Sequence, residues 1–132
     1  GPKTKKPPRV VDAVALLVER DEKLLLVRRP PTGLWGGLWE PPWQPMATTD
    51  AAAAARVAKA CTGLSLSNIQ SLGSFDHVLT HRHMRFFVYA ARGRGRVKLD
   101  GYDAARWQPR PRLDAVAGVA AWTRRLLDKE MT

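Results

Sequence analysis

Two short apolar runs separated by a charged turn open the chain. Residues 10–18 are rich in Val, Leu and Ala, and residues 24–27 form a second apolar run. The residues between them, 20–23, read Arg, Asp, Glu and Lys. Apolar runs of this length that flank a polar turn are typical of β-strands. The pattern therefore predicts an antiparallel hairpin.

A capped helix is predicted in the middle of the chain. The segment Thr48, Thr49 and Asp50 offers side-chain oxygens to the free N–H groups of a first helical turn. Residues 51–60 have high helix propensity, and Gly63 suits the left-handed position that follows a helix.

The remaining apolar runs predict further strands and one more helix. A basic Gly-Arg turn covers residues 92–96, and residues 113–129 place apolar side chains at helical spacing on one face. The order of elements predicts an α+β fold, an α/β/α sandwich with a mixed β-sheet and two main helices. The runs predicted as strands after the first helix are 64–66, 69–75, 84–91 and 106–108.

A long loop rich in proline, glycine and tryptophan follows the predicted hairpin. It covers residues 30–46 and carries Trp35, Trp39 and Trp43. A loop of this length inside a compact domain usually serves a purpose. We expect at least two of its tryptophans to cap the hydrophobic core.

The charge of the chain indicates a polyanionic partner. Lys and Arg number 22 against 12 for Asp and Glu, which gives a formal net charge of +10. Such a balance is typical of nucleic-acid-binding domains. It is also consistent with solubility alone, or with the arginine bias of a GC-rich genome.

One domain and a short leading segment are predicted. Gly1-Pro2 resembles a remnant of tag removal, and residues 3–9 resemble an interdomain linker because they are basic and contain proline. Residues 10–132 then form the globular domain. No apolar run of about 18 residues and no signal peptide is present, and a single cysteine suits a reducing cytoplasm. We expect a cytoplasmic protein, and a monomer.

A single cysteine excludes several kinds of site. With Cys61 alone, the chain cannot form an internal disulfide, nor a Cys-rich zinc or iron–sulfur site. Its position within the predicted helix favours a buried small side chain over a nucleophile.

The loop and the capped helix together resemble the Nudix fold, whose signature box has the pattern G-x5-E-x7-R-E-U-x-E-E-x-G-U. Without gaps, Arg56 falls on the arginine of this box and Gly63 on its last glycine, with Ala58 and Leu64 on the two U positions. The four glutamate positions, however, hold Thr48, Val57, Ala60 and Cys61. Nudix hydrolysis uses those carboxylates to hold divalent cations against a diphosphate. We therefore expect no catalytic residues and no metal ligands in this domain.

A narrower resemblance is to the C-terminal domain of the adenine DNA glycosylase MutY family. It rests on residues 28–30, RRP, and 33–41, GLWGGLWEP, after the predicted hairpin, on residues 75–81, FDHVLTH, and on the missing carboxylates. The resemblance implies a domain that senses 8-oxoguanine opposite adenine in double-stranded DNA during base excision repair. It also implies a glycosylase domain in cis, which would carry the catalytic residues and an iron–sulfur cluster. The present domain would then be a non-catalytic part of a glycosylase and would need no cofactor.

By the same resemblance, the turn Phe75-Asp76-His77 would approach the lesion. The family usually has Ser where this chain has Asp76. An ionised Asp only accepts hydrogen bonds, so Asp76 suits the N7–H of the oxidised base but repels nearby phosphates.

Thr80, His81 and Arg82 complete the set of residues predicted to contact DNA. Two alternatives apply to His77 and His81: they satisfy local backbone groups, or they bind a metal, although no third ligand is evident. Arginines contribute to phosphate contacts, which position the protein rather than specify sequence. The arginines considered for this role, besides Arg82, are Arg85, Arg92, Arg94 and Arg96.

Two other functions stay open at this stage. One is a stand-alone degenerate Nudix-fold module that binds a nucleotide. The other is a noncanonical Nudix hydrolase with relocated metal ligands, which magnesium- or manganese-dependent turnover of 8-oxo-dGTP or nucleoside diphosphate derivatives would reveal.

Overall fold

The structure, a computed structural model, describes residues 7–131. The predicted tag remnant and most of the predicted linker, residues 1–6, lie outside the described residues, so the domain boundary at residue 9 stays a prediction. No helix in residues 7–131 is long and apolar enough to cross a membrane. In chain order, the elements are β1 (Arg9–Arg20), β2 (Lys23–Arg28), β3 (Trp39–Glu40), β4 (Trp43–Pro45), α1 (Ala51–Thr62), β5 (Ser65–Val78), β6 (Arg82–Arg94), β7 (Ala104–Pro109), a 3-10 helix (Arg110–Ala115) and α2 (Ala121–Met131).

The strands form one mixed sheet. Along its main path the order is β3-β2-β1-β6-β5, while β4 pairs with β1 and β7 pairs with β2. β1 and β6 run parallel, and the other pairs are antiparallel. The predicted α+β fold with a mixed sheet is confirmed, as is the first hairpin.

Each face of the sheet carries its own hydrophobic core. On one face, α1 packs Val57 and Cys61 against alternate residues of β1 such as Val14 and Leu16. On the other face, α2 places Trp122 flat on Phe86, with ring centroids 4.2 Å apart. Because side chains alternate across a strand, the fully buried central strand reads as a continuous apolar run.

Both predicted ends of α1 are confirmed. Asp50 caps the first turn by accepting a hydrogen bond from the backbone N–H of Ala53 at 2.9 Å. Gly63 adopts φ 74° and donates its N–H to the carbonyl of Lys59. A side chain in that left-handed conformation would be strained, so glycine is the residue that ends this helix.

The second predicted helix is interrupted, contrary to the expectation of one helix over residues 113–129. A 3-10 helix ends at Ala115, and α2 begins only at Ala121. Between them the chain pairs with Trp39, which donates its N–H to the Gly118 carbonyl and accepts from the N–H of Ala120. Helical periodicity continues across this break, but tertiary pairing with β3 takes the backbone groups that a helix would use.

A strained turn in the loop holds Trp35 over the α2 face. Trp35 adopts φ 54°, a left-handed conformation that costs a non-glycine residue about 1–2 kcal/mol. Packing of the indole offsets this backbone strain, because the ring centroid of Trp35 lies 5.7 Å from that of Trp43 and 5.9 Å from that of Trp122. The expectation that tryptophans of this loop cap the core is confirmed, since Trp43 is buried within it and Trp35 and Trp39 pack against it.

The same loop buries a carboxyl group beside an arginine, with incomplete hydrogen bonding. Glu40 has no exposed surface, and its Oε2 lies 3.8 Å from Nη1 of Arg29. In the described part of the chain, neither carboxyl oxygen of Glu40 has a hydrogen-bond partner. Burial raises the pKa of Glu40 from 4.5 to about 8, against smaller opposing effects of Arg29 and the Trp43 indole. Glu40 is therefore largely protonated at neutral pH.

We predict that Gly36→Ala destabilises the fold. A methyl group at this position would lie 2.7 Å from the backbone oxygen of Pro31, so the turn that presents Trp35 must shift. We expect a loss of about 1–3 kcal/mol in the free energy of unfolding, measured by urea denaturation. Thr32→Ala, an exposed change in the same turn, is the control and should cost little. Equal stability of Gly36→Ala and the wild type would contradict this account of the turn.

We also predict that stability falls as pH rises from about 4.5 to about 8 because of Glu40. In that range the folded protein keeps a proton on Glu40 that the unfolded chain releases, so the proton stabilises the folded state at the lower pH. The slope contributed by this group approaches 1.4 kcal/mol per pH unit as an upper limit.

Thermal or urea unfolding across this pH range tests the effect. Glu40→Gln, which stays neutral, should show a flatter profile than the wild type, and Glu22→Gln, the same substitution at an exposed position, is the matched control. Parallel profiles for the wild type and Glu40→Gln would show that Glu40 does not titrate in this way.

Candidate functional site

The helix that aligns with the Nudix box has lost its acidic surface. Val57 and Cys61, at two of the glutamate positions, are buried against the sheet, whereas Ala60 is exposed. Thr48, at the fourth position, accepts a hydrogen bond from Nη2 of Arg56 at 3.0 Å. The box arginine therefore contacts a hydroxyl in this chain.

A divalent cation does not fit the donors that are present. Among residues 7–131, no group of three or more His, Cys, Asp or Glu side chains gathers at one place. Burial, with a smaller contribution from Asp100, raises the pKa of Cys61 to about 11. The thiol therefore stays protonated and is a poor metal ligand or nucleophile at neutral pH.

The residues predicted to contact a lesion lie in three places: the two faces of strand β5 and the turn that follows it. Phe75, Asp76 and His77 belong to the strand rather than to a turn, so their side chains alternate between its faces. Phe75 and His77 lie opposite Phe86 and Met84, two members of the α2-side core. Asp76 lies between them in the strand and points to the other face, as strand alternation requires.

His77 and Phe75 share a contact with Arg125 of α2. The Arg125 guanidinium lies 5.0 Å over the ring of Phe75, which is buried. Its Nη1 lies 2.7 Å from Nδ1 of His77. A guanidinium only donates, so Nδ1 accepts and Nε2 carries the hydrogen of a neutral ring. Burial, and then the charge of Arg125, lower the pKa of His77 and favour that neutral form.

Asp76 belongs to a row of charged side chains on the α1 face. Its Oδ1 lies 3.5 Å from Nε2 of His83. The neighbouring Arg85 makes two hydrogen bonds to Asp12, at 2.6 and 2.9 Å. Arg85 is therefore engaged within the sheet. Its hydrogen bonds to Asp12 are the main cause of its raised pKa, and the charge of Asp76 adds a smaller contribution.

Thr80, His81 and Arg82 lie at the exposed turn between β5 and β6. The turn closes through a hydrogen bond from the Leu79 N–H to the Arg82 carbonyl at 2.7 Å. The carbonyl of His81 accepts from the N–H of Arg9 at 3.1 Å. These contacts use backbone groups, so the three side chains extend outward.

The arginines considered as phosphate contacts lie at opposite ends of one strand. Arg82 begins β6 and Arg94 ends it, and a strand of 13 residues spans roughly 40 Å. Arg92 lies beside Arg94, and Arg96 lies beyond that end of the strand. The structure thus separates the basic residues into two groups.

Sequence reasoning missed Arg125 and Trp35 as neighbours of His77. The Trp35 and His77 rings lie 6.1 Å apart. Trp35 was visible as a loop tryptophan and Arg125 as part of the second helical pattern, but no local pattern indicates which strand residue each would meet.

Solved structures described as MutT proteins share the fold of this chain. The MutT NUDIX hydrolase from Burkholderia pseudomallei superposes with a TM-score of 0.78 and 20% identity, covering 91% of this chain and 97% of that one. The MutT protein from Methanosarcina mazei Go1 has a TM-score of 0.77 and 19% identity, covering 97% and 99%.

A third similar structure is the NUDIX domain of Shewanella oneidensis NrtR, solved in complex with ADP ribose. It has a TM-score of 0.72 and 17% identity, and the match covers 100% of this chain and 94% of that one. No curated protein matches this chain in sequence.

The expectation of a non-catalytic part of an adenine DNA glycosylase is wrong. The similar structures include MutT-type hydrolases, which this fold matches over nearly their whole length. The tryptophan loop that suggested a glycosylase packs against the core, with Trp43 and Glu40 buried. The lost carboxylates show a changed donor set and do not by themselves exclude chemistry.

A family model described as a NUDIX domain matches residues 13–129. The match includes every strand of the sheet in whole or in part, the capped helix α1 and most of α2. The chain therefore belongs to the Nudix family.

Proposed function

We propose that this Nudix domain binds a nucleotide that carries a diphosphate group. The observation that carries the proposal is the retained Nudix helix, with its Asp50 cap and its Gly63 end, in a chain where Val57, Ala60 and Cys61 replace carboxylates. The fold thus keeps the helix while its metal donors are gone.

The similar structures support a nucleotide ligand. The NrtR domain, which shares the fold, is described in complex with ADP ribose. A net charge of +10 also favours a phosphate-bearing ligand over a neutral one. A monomeric state and a cytoplasmic location fit this proposal and stay predictions.

We predict saturable binding of ADP-ribose or 8-oxo-dGTP to the purified protein, measured by calorimetry in the presence of EDTA. Adenosine, which lacks phosphate, is the control and should bind at least about tenfold more weakly, because charge-assisted hydrogen bonds to phosphate are lost. Absence of saturable binding for any phosphorylated ligand would contradict the proposal.

The same samples distinguish a binding module from a noncanonical hydrolase, which the MutT-type neighbours keep in consideration. Release of pyrophosphate from 8-oxo-dGTP, or of AMP and ribose 5-phosphate from ADP-ribose, on addition of Mg²⁺ or Mn²⁺ would assign turnover to the domain. Binding without release would assign it a sensing role.

A second candidate ligand is double-stranded DNA that contains 8-oxoguanine opposite adenine. The neutral ring of His77, held by Arg125, carries a hydrogen on Nε2 that suits the O8 carbonyl of the oxidised base. The exposed side chains of Thr80, His81 and Arg82 extend from the turn that follows β5. These features favour a DNA contact at this edge of the sheet.

We predict for this candidate that an 8-oxoguanine:adenine duplex binds more tightly than a guanine:adenine duplex, measured at two salt concentrations. Arg82→Ala should weaken both complexes and reduce their salt dependence, because it removes a phosphate contact. His77→Ala should reduce the preference for the oxidised duplex. Equal affinity for both duplexes in the wild-type protein would show that the domain does not recognise the lesion.

A further inference from the structure

A groove of about 800 Å³ lies between the last turn of α1 and the segment after β6. Three cationic side chains line it, Lys59 from the helix and Arg96 and Lys98 from the segment, together with one carboxylate, Asp100. We call this the cationic groove.

The cations of the groove are available to a ligand. In the described part of the chain, Arg96 and Lys98 have no side-chain hydrogen bond or ion pair, and Nζ of Lys59 reaches only the carbonyl of Gly63 at 3.4 Å. All three are exposed. Unpaired cations that converge on one concave surface attract an anion.

The end of α1 does not oppose an anion here as a free helix C-terminus would. The last carbonyls of a helix normally carry partial negative charge. In this chain the Lys98 N–H donates to the Thr62 carbonyl at 2.8 Å, and the Asp100 N–H donates to the Cys61 carbonyl at 3.0 Å. Backbone hydrogen bonds therefore occupy these acceptors.

Ala60 connects the groove to the altered Nudix box. Ala60 is exposed, lines the groove, and stands at one of the glutamate positions of the box. A glutamate there would place a carboxylate beside Lys59, Arg96 and Lys98. With alanine, the groove keeps its positive charge and has room for phosphate oxygens.

We propose that the cationic groove binds the phosphate groups of a nucleotide directly, without a bridging divalent cation. Arginine and lysine bind phosphate oxygens through charge-assisted hydrogen bonds. The groove thus replaces carboxylate-held metal with protein cations. This inference rests on the proposed function and adds where, and by what contacts, the phosphates are held.

The test uses inorganic pyrophosphate and ADP-ribose in EDTA, with binding followed by chemical-shift changes and calorimetry. We expect both ligands to bind the wild type and to shift the amide signals of residues 96–100. Lys98→Gln should weaken both by about tenfold, the value of one charged hydrogen bond. Lys23→Gln, which removes an exposed charge outside the groove, should leave both affinities unchanged.

A matched pair at position 60 tests the charge itself. Ala60→Glu should weaken phosphate binding by about tenfold or more through repulsion, whereas Ala60→Gln has nearly the same size and should retain most of it. Both are exposed helical substitutions with good helix propensity, so the fold should persist, as thermal unfolding verifies.

The outcomes separate this inference from the proposed function. If ADP-ribose binding requires Mg²⁺ and its affinity is unchanged by Lys98→Gln and Ala60→Glu, the inference that the groove holds the phosphates is overturned. The proposed function would still stand. Pyrophosphate binding at the groove without any nucleotide binding would support the groove and overturn the proposed function. Binding of a short DNA duplex, with no binding of pyrophosphate or ADP-ribose, would overturn both.

Discussion

The parallel pairing of β1 with β6 joins parts of the chain that are far apart in sequence. It runs from the Arg9–Arg82 pair to the Glu19–Arg92 pair. A parallel pair requires a crossover connection, and here that connection carries α1 to one face of the sheet. The pairing also buries residues 13–18 on both faces, so both cores form against the same strand.

Burial explains why the Nudix helix persists after its carboxylates are lost. Val57 and Cys61 have almost no exposed surface and pack in the α1-side core. Burial of a valine contributes about 1.5–3 kcal/mol, whereas a carboxylate at the same place needs a cation or a proton to offset its desolvation. At these two positions the chain therefore has buried apolar side chains where the Nudix box has carboxylates. Ala60, which faces solvent, gains no such packing, and its effect is on the charge of the surface.

The loop between β2 and α1 shows a related balance between stability and polar chemistry. Its tryptophans fill the space between the sheet and α2. The ring contacts of Trp35 with Trp43 and Trp122 offset the strain of its left-handed backbone conformation. The same packing encloses Glu40 beside Arg29 without completing its hydrogen bonds. Protonation of Glu40 relieves the cost of a buried charge, so the stability contributed by this loop depends on pH.

The local patterns of the chain were sufficient to predict α1, its caps at Asp50 and Gly63, the first hairpin and the α+β class, because capping and alternation depend on neighbouring residues. The loss of the box carboxylates was also readable from the alignment of residues 48–64. Other features depended on contacts between distant residues. The break in the second helix at 116–120 arises from pairing with Trp39. Asp76 is separated from Phe75 and His77 because β5 extends through all three residues. Lys59 meets Arg96 and Lys98 because the segment after β6 packs on the end of α1. The sequence by itself determined the elements and the changed donor set, whereas only the tertiary structure decided which charges converge, because that depends on through-space packing that no local pattern records.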